Sequence, residues 1–103
     1  MSLSERAYRL LKKVPKGKVT TYKEMARALN TKAYRAIGQI MRHNPDAPHT
    51  PCHRCVASDG SIGGFSGQTK GKEISRKISM LKKEGVKFEG NRIKNFEKVL
   101  YRF

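Results

Sequence analysis

The chain has 103 residues, which is enough for one domain with one modest hydrophobic core. It carries 23 lysines and arginines against 8 aspartates and glutamates, a formal net charge of +15, and 37% of its residues are hydrophobic. No apolar run is long enough to span a membrane, and the polar start lacks the apolar segment of a signal peptide. The excess of basic residues indicates a polyanionic partner, and nucleic acid is the partner that we predict.

The first part of the chain predicts two helices separated by a break. Apolar residues recur with a helical period over residues 3–13, with Ser2 or Ser4 as the residue that can cap the start. A Pro-Lys-Gly-Lys segment at 15–18 ends that helix. Thr21 and Glu24 have the spacing of a capping box, in which each residue satisfies a backbone amide of the other. This pattern predicts a second, short helix over residues 22–29.

A third helix is expected shortly after the second. Residues 30–31 predict a tight turn, and a helical pattern follows over residues 32–43, where Asn44 and Pro45 end it. Two short helices joined by a tight turn in a basic protein are typical of a helix-turn-helix.

The second half of the chain predicts smaller elements around one further helix. Residues 56–62 contain a Ser-Asp-Gly-Ser turn and indicate a hairpin or tight loop. A basic amphipathic helix is expected over residues 70–84, with Gly85 as its C-cap, and residues 86–93 indicate a hairpin. Asn95 is expected to cap a final helical turn. We therefore predict one domain over residues 1–103, mainly α with small β hairpins and a winged-helix-like helix-turn-helix.

The strongest chemical signal is Cys-His-Arg-Cys at residues 52–55, directly after Pro51. A cysteine beside cationic groups tends to ionise, and the thiolate is the nucleophilic form. The segment is therefore a candidate reactive centre, in which Cys52 is the nucleophile and Cys55 is a buried apolar residue of the following strand.

Other interpretations of the two cysteines remain open on spacing alone. They could form a redox pair, although the strand–motif–helix context of a thioredoxin is missing. They could form half of a zinc site with His49 or His53, although no second pair of ligands follows downstream. Both thiols could also be core residues, since free cysteine is often buried.

A nucleophilic cysteine needs a base, and His53 is the neighbouring candidate. Adjacent residues of an extended chain point to opposite faces, so His53 would act through a water molecule or through a turn of the loop. A carboxylate would have to orient the imidazole, and Glu84 near the end of the basic helix is the candidate. Spacing alone favours an ordinary surface position for Glu84.

Five further blocks accompany the cysteine motif in a defined order along the chain. They are Val-Pro-Lys-Gly-Lys-Val-Thr-Thr-Tyr at 14–22, Arg-Ala-Ile-Gly at 35–38, Asn-Pro at 44–45, Gly-Gly-Phe-Ser-Gly at 63–67 and Leu-Lys-Lys-Glu-Gly at 81–85. Together they resemble the O6-alkylguanine-DNA alkyltransferases, also called methylated-DNA–protein-cysteine methyltransferases. The resemblance covers about residues 5–93 and is to the C-terminal DNA-binding and active-site domain, without the N-terminal domain that most members carry.

The resemblance implies a stoichiometric repair reaction with no metal and no soluble cofactor. Cys52 resembles the residue that accepts the alkyl group from O6-alkylguanine, or from O4-alkylthymine, and keeps it as a thioether. His53 resembles the base that takes the thiol proton through a water molecule, with Glu84 orienting it. Tyr22 resembles the tyrosine that turns the target phosphate and donates a proton to the departing guanine.

The resemblance also implies how DNA is held. Residues 32–43 resemble a recognition helix that enters the minor groove of duplex DNA with little sequence specificity. Arg35 resembles the arginine that fills the space of the flipped base, and Asn44 resembles the asparagine that braces the turn beside the site. The remaining residues implied to contact DNA or the flipped base are Thr21, Ala33, Tyr34, Arg54, Phe65, Ser66 and Gly67. A monomer located in the cytoplasm or the nucleus, with no membrane contact, is the implied state.

Some positions depart from the family pattern, and other functions compete with the transfer reaction. Phe65 replaces a frequent tyrosine, Tyr34 replaces a small residue on the recognition helix, and Cys55 replaces an aliphatic residue. The main competing function is that of an alkyltransferase-like protein, which binds the lesion and recruits excision repair without chemistry. A sequence-specific helix-turn-helix module and a small thiol redox protein are further alternatives.

Overall fold

The computed structural model describes residues 2–44, 46, 49–62 and 72–103. Within these residues the fold is mainly helical with two small two-stranded sheets, as the sequence predicts. No helix in the described ranges is both long and apolar enough to cross a lipid bilayer. The elements in chain order are α1 (Leu3–Lys13), β1 (Thr20–Thr21), α2 (Tyr22–Ala28), α3 (Tyr34–Arg42), β2 (Cys55–Val56), α4 (Lys72–Lys83), β3 (Phe88–Glu89), β4 (Arg92–Ile93) and α5 (Phe96–Val99).

Side-chain caps start the first two helices where the sequence predicts them. Ser2 accepts a hydrogen bond from the Glu5 amide, and Thr21 Oγ1 accepts one from the Glu24 amide at 3.0 Å. The capping box is only half formed, because the Glu24 carboxylate pairs with Arg27 at 2.8 Å. Each side-chain cap satisfies one amide that has no partner inside its helix.

The helix-turn-helix is formed by α2 and α3, which pack against each other across a short turn. Asn30 occupies the left-handed region in this turn, with φ +54°. The third helix begins two residues later than predicted, because Lys32 accepts a hydrogen bond from the Tyr34 amide and Ala33 has non-helical angles. The first turn of α3 therefore begins with Tyr34 and Arg35, which are both exposed.

One hydrophobic core joins the helices and the strand that follows the cysteine motif. Its members include Leu11 of α1, Met25 of α2, Ile37 of α3, Val56 of β2 and Leu81 of α4, all fully buried. Burying one such side chain contributes about 1.5–3 kcal/mol. The core thus holds the cysteine motif between α1 and α4.

The segment after the cysteine motif forms a tight loop, one of the two forms that the sequence predicts. β2 pairs in parallel with β1, with Thr20 opposite Cys55, instead of folding back on residues 57–62. The turn itself is present, since Gly60 donates to Ala57 and Ser61 donates to the Asp59 carboxylate. The prediction of a hairpin or tight loop over residues 56–62 is therefore confirmed in its second form, a tight loop, while β2 itself pairs with a strand from an earlier part of the chain.

The C-terminal part confirms the predicted hairpin but not the final cap. β3 and β4 are antiparallel, and Gly85 ends α4 with φ +99°, a conformation that favours glycine. Asn95 is left-handed and makes no side-chain cap, so α5 is a short turn that ends at Val99. The chain then extends, and the Tyr101 amide donates to the Val19 carbonyl at 2.6 Å. β1 therefore pairs with β2, and Val19, the residue just before β1, pairs with the C-terminal segment.

Candidate active site

Cys52, His53 and Arg54 form a single 3₁₀ turn directly after Pro51. The Arg54 amide donates to the Pro51 carbonyl at 2.9 Å. Of the two arrangements expected for His53, an extended segment that acts through water or a turn of the loop, the backbone here forms the turn. In a 3₁₀ turn successive side chains lie about 120° apart instead of on opposite faces, so that the side chains of His53 and Arg54 reach one common partner.

That partner is Glu84, at the end of α4. Glu84 Oε2 lies 3.0 Å from His53 Nε2 and accepts from the Arg54 guanidinium at 2.7 Å, while Oε1 accepts from Arg54 Nε at 2.9 Å. The third nitrogen of the guanidinium donates to the Val14 carbonyl at 2.8 Å. The structure therefore brings Glu84 to His53 and adds Arg54 as a second partner of the same carboxylate.

The loop after α1 closes one side of this carboxylate cluster. Gly17 has φ +85°, and a Cβ atom at this position would lie 3.3 Å from the Glu84 carbonyl oxygen. A side chain here would meet both a strained backbone and a crowded contact. Glycine thus allows the loop to approach the end of α4.

The inward orientation of Arg54 corrects one expectation. Arg54 was expected to contact DNA, but its side chain is 12% exposed and its guanidinium is bound to Glu84 and Val14. Thr21, expected to contact DNA as well, is buried, with its hydroxyl used as the cap of α2. Both side chains shape the site from within the protein.

The carboxylate cluster sets the protonation states of its members. Burial alone would raise the pKa of Glu84, but the hydrogen bonds from Arg54 and His53 outweigh it, and the pKa is lowered overall. Burial lowers the pKa of His53, and this effect exceeds the opposing hydrogen bond and charge of Glu84. At neutral pH the site therefore holds a charged Glu84 beside a neutral His53.

The two ring nitrogens of His53 have different surroundings. Nε2 faces Glu84, and a carboxylate can only accept, so the proton of the neutral ring belongs on Nε2. Nδ1 is buried and makes no hydrogen bond with any residue that the structure describes. A buried nitrogen with an unused lone pair, one residue after Cys52, is suited to accept a proton.

The two cysteines occupy different environments. Cys52 is 7% exposed in the 3₁₀ turn, whereas Cys55 is fully buried in β2, where burial raises its pKa to about 12. A thiol with such a pKa is not a nucleophile at neutral pH. The expectation that Cys55 is a buried residue of the following strand is confirmed. In the described parts of the chain, no three His, Cys, Asp or Glu side chains form a group that could hold a metal ion.

Asn44 braces the segment that leads to Pro51. Its Nδ2 donates to the Thr50 carbonyl at 2.7 Å, and its Oδ1 accepts from the Asp46 amide at 3.0 Å. Thr50 Oγ1 in turn donates to the Asp46 carboxylate at 3.1 Å. These bonds fix the backbone just before the cysteine motif.

Tyr22 is placed near the thiols by the pairing of β1 with β2. It is the first residue of α2, directly after β1, and is half-buried. Its pKa is raised, first by burial and then by the nearby thiols of Cys55 and Cys52. The Tyr22 hydroxyl is therefore protonated at neutral pH and can donate a hydrogen bond.

The remaining predicted residues lie on the exposed start of α3 or outside the described chain. Ala33, Tyr34 and Arg35 are exposed, whereas Ile37 and Met41 bury the opposite face of the helix. Phe65, Ser66 and Gly67 lie outside the described residues.

The structure adds a residue that the sequence reading missed. Lys77 of α4 is fully buried, and its Nζ donates to the carbonyls of Cys55 at 2.8 Å and Ile62 at 2.7 Å. Burial lowers its pKa to about 8. The signal was present in the helical spacing, because Lys77 shares the apolar face with Ile74 and Leu81. Lys77 ties α4 to the strand that follows the cysteine motif.

Comparison with known proteins gives a consistent result for most of the chain. Residues 2–86 match the family model described as 6-O-methylguanine DNA methyltransferase, DNA binding domain. The methylated-DNA–protein-cysteine methyltransferase of Thermococcus kodakarensis is 46% identical over 78 residues, which are 76% of this chain and 41% of that protein. The chain spans between about a quarter and a half of the length of the curated relatives that it matches.

Two solved structures extend the comparison to the fold. The structure of Mycobacterium tuberculosis OGT in complex with DNA has a TM-score of 0.72 and 32% identity, covering 82% of this chain and 50% of that one. The structure of S. pombe Atl1 in complex with damaged DNA containing O6-carboxymethylguanine has a TM-score of 0.81 and 28% identity. It covers 98% of this chain and 95% of that one.

Proposed function

Because the chain belongs to the 6-O-methylguanine DNA methyltransferase family, as its DNA-binding domain, we propose that it repairs alkylated DNA by transferring the alkyl group to its own Cys52. The observation that carries the proposal is the cluster of Cys52, His53 and Glu84, in which a partly buried carboxylate orients a neutral imidazole beside a buried cysteine. The substrate is O6-alkylguanine in duplex DNA, with O4-alkylthymine as a second substrate.

The reaction needs one new bond and one broken bond. The Cys52 thiolate attacks the alkyl carbon, a carbon–sulfur bond forms, and the bond between that carbon and guanine O6 breaks. The electron pair of the broken bond stays with the guanine, which takes one proton to become ordinary guanine. Because the thioether is stable, each protein molecule acts once.

The described residues can supply both proton movements. His53 Nδ1 takes the thiol proton through a water molecule, and Glu84 stabilises the imidazolium that forms. Tyr22 lies near the two thiols with its hydroxyl protonated, and it supplies a proton to the guanine as negative charge develops on the departing base. Arg54 holds Glu84 in position from the other side.

A base inside a duplex cannot present its O6 substituent to a thiol, so the base has to leave the stack. In this proposal α3 enters the minor groove and Arg35 fills the space that the base leaves. Contacts from lysine and arginine to phosphates carry no sequence information, which suits a protein that surveys all DNA. The protein acts as a monomer without a cofactor.

The role of Arg35 predicts a difference between substrates. Arg35→Ala should slow transfer from duplex DNA by about tenfold to a hundredfold, because stabilising an open base step is worth a few kcal/mol. Transfer from the free alkylated base should stay at the wild-type rate, since no duplex has to be opened. Rates measured on both substrates check this, with Arg42→Ala on the last turn of α3 as the control. An equal loss on both substrates would contradict the role.

A second function is favoured by one specific observation. Atl1 matches 98% of this chain, including the C-terminal segment, whereas the OGT structure matches 82%. The competing proposal is therefore a lesion-binding protein that flips the alkylated base without removing the alkyl group.

Repair of a duplex that contains one O6-methylguanine separates the two functions. The wild type and Cys55→Ala should remove up to one methyl group per protein molecule, and Cys52→Ala should remove none while still binding the lesion. Tight lesion binding by the wild type without any loss of O6-methylguanine would favour the lesion-binding function instead.

A further inference from the structure

The first turn of α3 carries an aromatic side chain that the transfer step does not use. Tyr34 is 53% exposed, and among the described residues Phe103, at 40%, is the other large hydrophobic side chain that is exposed. A single exposed ring is common on protein surfaces and means little by itself. The surroundings of Tyr34, however, are not those of an ordinary surface residue.

Tyr34 forms one wall of a cleft of about 370 Å³ at the turn between α2 and α3. Three cationic side chains line the same cleft, those of Lys23, Arg27 and Lys32. Base stacking on an aromatic ring combined with cations for the backbone is the common way of holding a nucleotide. The cleft therefore has the chemistry of a nucleotide site.

Tyr34 and Arg35 cannot enter the same space in DNA. Adjacent residues of a helix leave its axis about 100° apart, so their side chains diverge. Gly38 lies one turn after Tyr34, and a Cβ atom there would meet nothing within 4 Å. The surface at Gly38, between the directions of the Tyr34 and Arg35 side chains, therefore has room for a DNA backbone.

We propose that Tyr34 stacks on a base next to the one that is flipped, while Lys23, Arg27 and Lys32 bind phosphates of the same strand. This inference rests on the proposed function, because it takes Arg35 to fill the adjacent gap. A neighbouring base step has to open to admit the ring, and pyrimidine–purine steps open most easily. Tyr34 is thus a specificity-determining residue that favours lesions beside such a step.

The test measures DNA distortion in Cys52→Ala protein, so that it does not depend on alkyl transfer. The probe is an O6-methylguanine duplex with 2-aminopurine beside the lesion, since 2-aminopurine fluorescence rises when its base unstacks. We expect Tyr34→Ala to lose this rise at the neighbouring step and to bind the duplex about tenfold more weakly, a typical cost of losing one base-stacking contact. Tyr34→Phe should keep both, and Phe103→Ala is the matched control for an exposed aromatic residue.

Sequence context gives the second arm of the test. The affinity of the parent protein should be higher for a lesion beside a pyrimidine–purine step than beside a purine–purine step, and Tyr34→Ala should lose this difference. The inference would be overturned if Tyr34→Ala showed the same fluorescence and affinity as Phe103→Ala. It would also be overturned if Tyr34→Phe lost as much fluorescence rise and affinity as Tyr34→Ala. If the wild type transfers no alkyl group, the transfer proposal fails, whereas the distortion result still decides the role of Tyr34.

Discussion

Glu84→Gln should slow alkyl transfer about a hundredfold or more and lower the free energy of unfolding by about 3 kcal/mol. The Glu84 carboxylate accepts hydrogen bonds from His53 and twice from Arg54. A glutamine has one acceptor oxygen, so at least one of these donors loses its partner. The Arg54 guanidinium also loses its counterion in a site where the side chain is 12% exposed.

The two effects of Glu84→Gln can be measured separately. Urea unfolding gives the change in stability, and single-turnover transfer at a temperature where the variant is folded gives the rate. The acidic limb of the rate profile should also move to lower pH, because Glu84 raises the pKa of His53 and its charge is then absent. Glu89→Gln on β3 removes the same charge at an exposed position and serves as the control. Wild-type transfer with an unchanged pH profile would exclude Glu84 from the proton route.

Lys77→Met should destabilise the fold by about 2 kcal/mol at pH 7, and the deficit should grow at higher pH. The substitution leaves the carbonyls of Cys55 and Ile62 without the donor that binds them, at a cost of about 1–3 kcal/mol for each buried acceptor. Removing a buried cation offsets part of this cost. The substitution also removes the two hydrogen bonds that join α4 to the segment after the cysteine motif.

The pH dependence of this deficit follows from the lowered pKa of Lys77. Its pKa is about 8 in the folded protein against an ordinary value of 10.5, so below pH 8 the side chain is protonated in both states. Between these values the unfolded chain binds more protons, and the stability that this residue contributes therefore rises with pH, by about 3 kcal/mol in total. Lys77→Met cannot gain this stability.

The free energy of unfolding, measured with urea at a series of pH values from about 7 to 11, checks the prediction for Lys77→Met. The opposite effect of the buried Cys55 thiol, whose raised pKa lowers stability at alkaline pH, is present in both proteins and largely cancels in the difference. Lys82→Met on the exposed side of α4 is the control. A constant difference between wild type and Lys77→Met across the range would mean that Lys77 keeps its ordinary pKa in the fold.

Local sequence signals predicted the helical elements well. Ser2, Thr21 and Gly85 mark helix ends through contacts within a few residues, and such contacts can be read directly from the chain. The hairpin of residues 86–93 was predicted for the same reason. The side-chain cap at Asn95 is missing because this residue is left-handed, with φ +53°, whereas a capping residue has extended backbone angles.

Long-range contacts explain most of what sequence reasoning missed at the site. Two-residue strands such as β1 and β2 are too short to show a period, so that the parallel pairing of Thr20 with Cys55 could not be foreseen. The 3₁₀ turn placed Arg54 beside His53 on Glu84, which an extended segment would not allow. Lys77 was overlooked because a lysine at a core position is rare, although the helical period pointed to it.

The central claim is that Cys52 accepts the alkyl group, and mass spectrometry of the protein tests it most directly. The protein is incubated with an excess of duplex DNA that contains O6-methylguanine and is then digested with a protease. The account predicts one added methyl group on the peptide that contains Cys52, located at that residue by fragmentation, and none on Cys55. An unmodified Cys52 after complete binding of the lesion, or a methyl group on Cys55, would contradict it.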